Sequence, residues 1–393
     1  MAEAFALDAR ALGGSAAVGR TGHRLDGWEA PALMVLTILL FSIGLVTVYG
    51  TSAVKAQALG QPDYFYVVRQ AAGGGFGLVL LALLAWIDYR RLRLLAWPLV
   101  SAIGLMLLIT LVPGTYAIAP ITNGARRWLN IGPVSIQPSE LAKFVLIVWT
   151  AALAVKKQDK LASLSRGLLP FLIVWLLVVG MIFFQPSLSA AVIVLFLAGL
   201  VAFAGGARIG HFLLLGIIVL PLVWGRIAGE GYRSERIATF IDPTHDPRGL
   251  SYQITQSLIA IGSGGVFGRG FGHGQQKFGY VPEPFNDFIF AMFAEEWGFV
   301  GMLLLIALFV AFALTGYRIA RAAPDMFGSL VAIGMTNLIA VQAFLHMAVN
   351  LALIPTTGVT LPFMSYGRTS LLVCLAAVGI LINIARRTGE VTA

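Results

Sequence analysis

Stretches of about twenty mostly apolar residues recur from Pro31 almost to the C-terminus, and nothing else in the sequence limits the fold so strongly. A helix of roughly that length crosses the hydrocarbon core of a bilayer, about 30 Å thick. Of 393 residues, 58% are hydrophobic and 11% charged, where a soluble domain carries about a quarter charged residues. No soluble fold absorbs that much apolar surface. The expectation is an all-α polytopic membrane protein of about ten transmembrane helices. They fall near residues 32–52, 71–87, 94–112, 138–155, 167–184, 187–205, 209–225, 287–316, 328–352 and 366–385. A large extracytoplasmic loop, 226–286, separates helices 7 and 8, and its apolar run from Ile254 to Ile261 suits a short helix on the outer membrane surface.

Residues 1–30 are rich in Ala and Gly and lack an apolar core followed by a cleavage site, so they read as a disordered cytoplasmic tail. Residues 31–387 form the membrane domain and 388–393 a second cytoplasmic tail. Cationic residues concentrate on the cytoplasmic side of a membrane protein. With the N-terminus inside, that side receives Arg10, Arg20, Arg24, Arg90, Arg91, Arg93, Lys156, Lys157, Lys160, Arg166, Arg208, Arg318, Arg321, Arg386 and Arg387, fifteen of the 27 Lys and Arg. The net charge of +9 therefore reports topology and implies no nucleic-acid partner. Cys374 is the one cysteine and lies inside the last span, which excludes a disulfide framework, and the five histidines lack the spacing of a zinc site.

Polar side chains at membrane depth are costly and tend to line cavities. In QPSELAKF, Glu140 and Lys143 are three residues apart on one helix face, either as a structural pair or as part of a site. Asp287 opens the eighth apolar segment, with Asn286 beside it and Glu283 one turn away; it either complements the helix dipole or serves a site at the outer interface. Glu295 and Glu296 lie two turns deeper and are expected to pair across helices or with Lys143. Outer cations are Arg126 and Arg127 beside Trp128, Arg233 and Arg236 in YRSERI, and Lys277. Outward arginines suit a phosphate, and the tryptophan suits a sugar face or the interfacial belt. GSGGVFGRGFGHG has neither the preceding strand nor the ending of a nucleotide loop and reads as flexible outer backbone. An acid, several cations and an aromatic near the outer leaflet fit a substrate with a lipid tail, a pyrophosphate and a sugar.

The ordered motifs GARRWLNIGPVSIQPSELAKF, YRSERIATFIDP, YQITQSLIAIGSGGVFGRGFG, QKFGYVPEPFNDFIFAMFAEEWGFVG and NLALIPTTGVTLPFMSYGRTS closely resemble the FtsW/RodA/SpoVE (SEDS) family of bacterial cell-wall proteins. The likeness covers nearly the whole chain after about residue 30. It implies a ten-helix peptidoglycan glycosyltransferase of the bacterial inner membrane that polymerises lipid II outside it, with a class B penicillin-binding transpeptidase and other divisome membrane proteins as partners. The family's catalytic aspartate falls on Asp287, and its Arg/Trp loop and QPSE helix fall on Arg127, Trp128, Glu140 and Lys143. Arg126, Arg233, Arg236, Lys277 and Glu283 join the candidate substrate contacts, with a divalent cation (Mg²⁺ or Mn²⁺) as a possible helper. Three positions depart from the family pattern: Ser187 replaces an acid, Ser189 a glycine, and Arg368 is added in SYGRTS. QKFGYVPE, GVTLPFMSYG and LFSIGLVTVYG lean toward the FtsW type at the division septum, whereas Thr357 leans toward RodA and elongation. A lipid II flippase and a division scaffold are the rivals; the depth of Glu295 and Glu296 favours the flippase, the outer clustering of the other polar residues the enzyme.

The topology is checked by a cysteine-accessibility map. Positions 55, 126, 233 and 277 label from outside, and 91, 157, 318 and 387 from inside. The reverse pattern would overturn every site assignment.

Overall fold

The computed structural model describes residues 25–122, 124–132, 134–185, 187–228, 240 and 250–392. Helices α1 (Glu29–Ala58), α2 (Phe65–Trp86) and α3 (Arg91–Leu111) lead to a two-stranded antiparallel hairpin, β1 (Leu129–Ile131) and β2 (Val134–Ile136). Then follow α4 (Pro138–Lys156), α5 (Leu169–Phe184), α6 (Leu188–Ala204), α7 (Ile209–Ala228), the short α8 (Leu250–Ser263), α9 (Ile289–Ala322), α10 (Met326–Asn350) and α11 (Arg368–Thr392). Among the described residues eight spans are long and apolar enough to cross a membrane, and the 17-residue α6 is a shorter apolar helix. Eight of the expected spans are thus present, α6 and α7 are helices at the positions of the sixth and seventh, and α8 is the short helix expected near 254–261.

Of the most apolar stretch of each span, 89% is buried in α11 and 72% in α4, against 22% in α2 and 28% in α3. α11 and α4 therefore form the centre, while α2 and α3 turn residues such as Phe76 and Leu94 to the lipid. Lipid offers no polar partner, so residues such as Lys143 and Gln342 fold inward where other helices satisfy them.

The start of α1 and the end of α9, expected on the cytoplasmic side, are tied together. Arg318 of α9 bonds Asp26 at 2.9 Å and Glu29 at 3.1 Å, with Glu29 buried. Asp26 and Glu29, inside the segment 1–30 expected to be a tail, are thus tied to the helices. At the other end α11 continues through Thr388, which bonds back to the Ile384 carbonyl at 2.9 Å, so 388–392 extend a helix where a separate tail was expected.

α9 runs for 34 residues, about 50 Å at 1.5 Å per residue, and is broken at Gly298 (φ +67°, ψ −166°). The glycine-rich segment fills the break, which corrects its reading as flexible backbone. Arg269 and Gly270 N–H groups donate to the Glu295 and Glu296 carbonyls at 3.0 Å each. Phe299 and Val300 N–H groups donate to the Gly265 and Val266 carbonyls at 2.9 and 3.1 Å. Such approach needs glycine on both sides: a Cβ on Gly298 would lie 2.2 Å from Gly268 N, and one on Gly268 2.1 Å from the Glu296 carbonyl.

Gly298→Ala is expected to destabilise the protein by about 2 kcal/mol or more, because this backbone region is nearly glycine-only. Thermal unfolding in detergent checks this against Gly75→Ala, where the added methyl meets nothing within 4 Å. Equal melting temperatures would refute the backbone packing.

Candidate functional site

Asp287 lies in a turn two residues before α9, and the carbonyls of Phe285, Asn286 and Asp287 are held from outside it. The Asn286 and Asp287 N–H groups donate to the Glu283 carbonyl at 3.1 and 3.2 Å. Tyr366 N–H donates to the Phe285 carbonyl at 2.9 Å, Ser365 Oγ to that of Asn286 at 2.8 Å, and Asn350 Nδ2 to that of Asp287 at 3.1 Å. Phe285 is buried between Tyr66 and Tyr366, with ring centroids 4.8 and 5.7 Å away. The Asp287 carboxyl is left half-buried beside the loop joining α10 to α11; a methyl on Gly358 of that loop would lie 3.9 Å from Oδ2.

Glu283 closes the turn's outer side. Its Oε1 accepts from Lys55 Nζ and its Oε2 from Asn286 Nδ2, each at 2.7 Å, and Lys55 also sits 5.1 Å over the Phe285 ring. Both partners of the ion pair are exposed, so it adds at most about 1 kcal/mol and serves mainly as orientation. Among the described residues, non-glycine positive φ occurs at Glu283 (+49°), Ala352 (+54°) and Phe363 (+65°). All three belong to the Asp287 turn and the loop facing it. Backbone strain of this kind costs about 1–3 kcal/mol per residue and gathers at active sites.

A polar stripe on α10 supports the turn from below. Gln342, His346 and Asn350 recur every fourth residue, so they share a face, and all are buried. At the outer end Asn350 receives the Ala291 N–H at 3.1 Å as well as donating to Asp287. In the middle, His346 Nδ1 meets the Val359 carbonyl at 2.7 Å; a carbonyl only accepts, so Nδ1 carries the proton. At the inner end Gln342 accepts from Lys143, whose Nζ lies 2.7 Å from Glu140. The spacing of Glu140 and Lys143 thus correctly gave an ion pair, now seen to be almost wholly buried.

The remaining candidates divide. Arg126 donates to the carbonyls of Ala119 (3.0 Å) and Val112 (2.8 Å) and to Thr115 Oγ1, and it lies 4.8 Å from the Tyr116 ring, so it braces its own loop. Arg127 Nε donates to the Gln185 carbonyl at 3.0 Å, tying that loop to the end of α5, and Trp128 is half-buried next to it. Lys277 is buried, 3.6 Å from Glu296 and bonded to the Gly272 carbonyl at 2.7 Å. Glu295 accepts the Gln275 and Gln276 N–H groups at 2.7 and 3.2 Å, and Glu296 that of Gly272 at 3.1 Å. The expected pairing of these glutamates with Lys143 is therefore wrong, because the glycine segment reaches them first. Arg233 and Arg236 lie outside the described residues. Asn350, Gln342, Ser365 and Lys55 were missed; the rule that polar groups at depth carry meaning, applied to α10, would have found the first two.

The chain is 40% identical over 354 residues to stage V sporulation protein E of Bacillus subtilis, covering 90% of this chain and 96% of that protein. It is 38% identical over 353 residues to a probable peptidoglycan glycosyltransferase FtsW of Trichlorobacter lovleyi, covering 90% and 92%. Among solved structures, a peptidoglycan synthase complex that coordinates polymerization and crosslinking matches with a TM-score of 0.73 and 31% identity, covering 90% of this chain and 96% of that one. The rod shape determining protein RodA of Thermus thermophilus matches with a TM-score of 0.65 and 30% identity, covering 90% and 95%. The model of the FtsW/RodA/SpoVE family, described as cell cycle proteins, matches residues 31–390. With several membrane-spanning helices at the expected positions and nearly the full length matched, this chain belongs to the FtsW/RodA/SpoVE family of multi-pass membrane proteins.

Proposed function

We propose that this protein is a peptidoglycan glycosyltransferase that polymerises lipid II into glycan strands at the outer face of the cytoplasmic membrane, acting in septal wall synthesis. The observation that carries the reading is the Asp287 turn: an acid on a turn whose backbone carbonyls take three hydrogen bonds from outside it, amid strained backbone. The names of the relatives supply the substrate class. Identity of 35–38% to FtsW relatives, against 30% to the RodA structure, supports the division branch over the elongation branch. The matching synthase complex supports a transpeptidase partner.

In this mechanism one lipid-linked sugar is the acceptor. Asp287 takes the proton of its 4-hydroxyl as the oxygen attacks the anomeric carbon of the donor. The bond from that carbon to the lipid pyrophosphate breaks, the pyrophosphate leaves with the electron pair, and configuration inverts. Arg127, Arg233 and Arg236 are assigned to its negative charge. Glu140 and Lys143, buried beneath the turn, act through the α10 stripe rather than on substrate. Among the described residues no three His, Cys, Asp or Glu side chains meet in a way that fits a divalent cation, so no step here runs through one.

Asp287→Asn keeps the shape of the side chain and deletes the base. Purified with its transpeptidase partner, the variant is expected to bind lipid II and to lose about 10²-fold or more of its polymer yield on a gel of labelled glycan. Near-normal chains would remove Asp287 from the chemistry, and translocation of lipid by the unaltered protein without polymer would favour a flippase.

A further inference from the structure

The chemistry at the outer face leaves a feature of the cytoplasmic face unused. A cavity of about 480 Å³ opens there between the starts of α3 and α10 and the end of α4, and Arg90, Arg91 and Arg93 line it. Its walls are fixed. Asn383 of α11 accepts the Tyr89 N–H at 3.2 Å and donates to the Ala85 and Ile87 carbonyls at 2.9 Å each, holding the turn that carries the arginines. Asp325 caps α10 through the Gly328 N–H at 2.8 Å and also receives the Tyr89 hydroxyl.

The charges in this cavity do not cancel. Arg90 Nε lies 3.2 Å from Asp325, and those two offset each other. Burial alone would raise the Asp325 carboxyl, but hydrogen bonds from Tyr89, Gly328 and Arg90 outweigh it and hold the group below the usual carboxylate range. Asp325 is therefore ionised at neutral pH, and Tyr89, Gly328 and Arg90 take up its oxygens. The side chains of Arg91 and Arg93 are exposed and make no ion pair or hydrogen bond among the described residues. Two helix N-termini, at Arg91 and Met326, also end at the cavity and add the positive ends of their dipoles.

Beside the free cations the surface turns apolar. Leu94, on the cavity wall, is 81% exposed, and Trp97, one turn further along α3, is 58% exposed. An anion with an apolar tail matches this sequence of surfaces, whereas a free inorganic anion would leave the apolar margin uncovered. Basic pockets between helices on the cytoplasmic side are suited to anionic headgroups.

We infer that this cavity binds the phosphodiester headgroup of an anionic phospholipid of the inner leaflet, with Arg91 and Arg93 on the phosphate and an acyl chain along Leu94 and Trp97. The generic cytoplasmic excess of basic residues predicts attraction anywhere on this face; a built site predicts dependence on the cavity. Val155, on the α4 wall, provides the separation, because Val155→Trp fills the space and leaves every charge in place.

The test is native mass spectrometry of the full-length protein in detergent, titrated with phosphatidylglycerol or phosphatidylcholine. Arg91→Gln with Arg93→Gln is expected to weaken phosphatidylglycerol binding about tenfold or more, with phosphatidylcholine unaffected. Val155→Trp is expected to weaken it comparably, and Arg208→Gln, outside the cavity, to leave it unchanged. Both arginines are exposed and unpaired, so their replacement leaves the fold intact, which an unaltered melting temperature verifies. Retained phosphatidylglycerol binding in the double variant, an equal loss in Arg208→Gln, or displacement of the lipid by inorganic phosphate at the same concentration would each overturn the assignment.

Discussion

A backbone break inside a membrane helix has to be repaired by protein, because lipid has no donors or acceptors and each orphaned group costs several kcal/mol. Gly298 makes such a break in α9, and the arrangement of the outer half follows from its repair. The carbonyls of Glu295 and Glu296 and the N–H groups of Phe299 and Val300 find their partners in the glycine segment, which is thereby locked onto the helix. That segment ends at Gln275 and Gln276, whose N–H groups are held by the Glu295 carboxylate. Residues 277–288 therefore leave α9 and return to its start at Ile289 as a closed loop on one rigid helix. Asp287 is the last polar residue of that loop.

A second constraint meets the first at α10. Its buried stripe runs from the Glu140–Lys143 pair through Gln342 and His346 to Asn350, roughly 12 Å for eight residues of helix. A buried ion pair is weak support for stability, because desolvation offsets most of its attraction, yet losing one partner costs about 3–5 kcal/mol. The Lys143–Gln342 hydrogen bond is what joins α4 to α10, and Asn350, on the same face of α10, reaches the Asp287 carbonyl. His346 does the same for the facing loop through Val359, the neighbour of Gly358. The acid, its turn and the opposing loop are thus positioned from one helix face.

The spans were legible because hydrophobic length is a local property: helix boundaries from α1 to α11 fall close to the apolar runs. The Glu140–Lys143 pair was legible because three residues on a helix define a face. Partners distant in the chain were not. Nothing local says that Glu295 meets Gln275 before it can meet Lys143, or that the flexibility implied by five glycines between Gly264 and Gly272 is used for close packing rather than motion. The bonds that Arg126 makes were hidden for a similar reason. An outward arginine beside a tryptophan suggests an anion, but a loop without regular structure leaves carbonyls to be satisfied, and the guanidinium is spent on those.

The same geometry bears on the choice between an enzyme and a lipid transporter. Read from the sequence, two glutamates at membrane depth favour a path across the bilayer, since charges there commonly mark a route. In the fold they are fixed: Glu295 holds two backbone N–H groups, and Glu296 holds Gly272 and faces Lys277. A group that alternates between two sides of a membrane has to exchange partners, and here exchange would reopen the break at Gly298. The deep charges are therefore part of the repair, and the acid placed half-buried at the outer rim, amid strained backbone that helix packing maintains, is Asp287. Rigid deep polar groups beneath a preorganised outer carboxyl suit chemistry at one face better than passage between two.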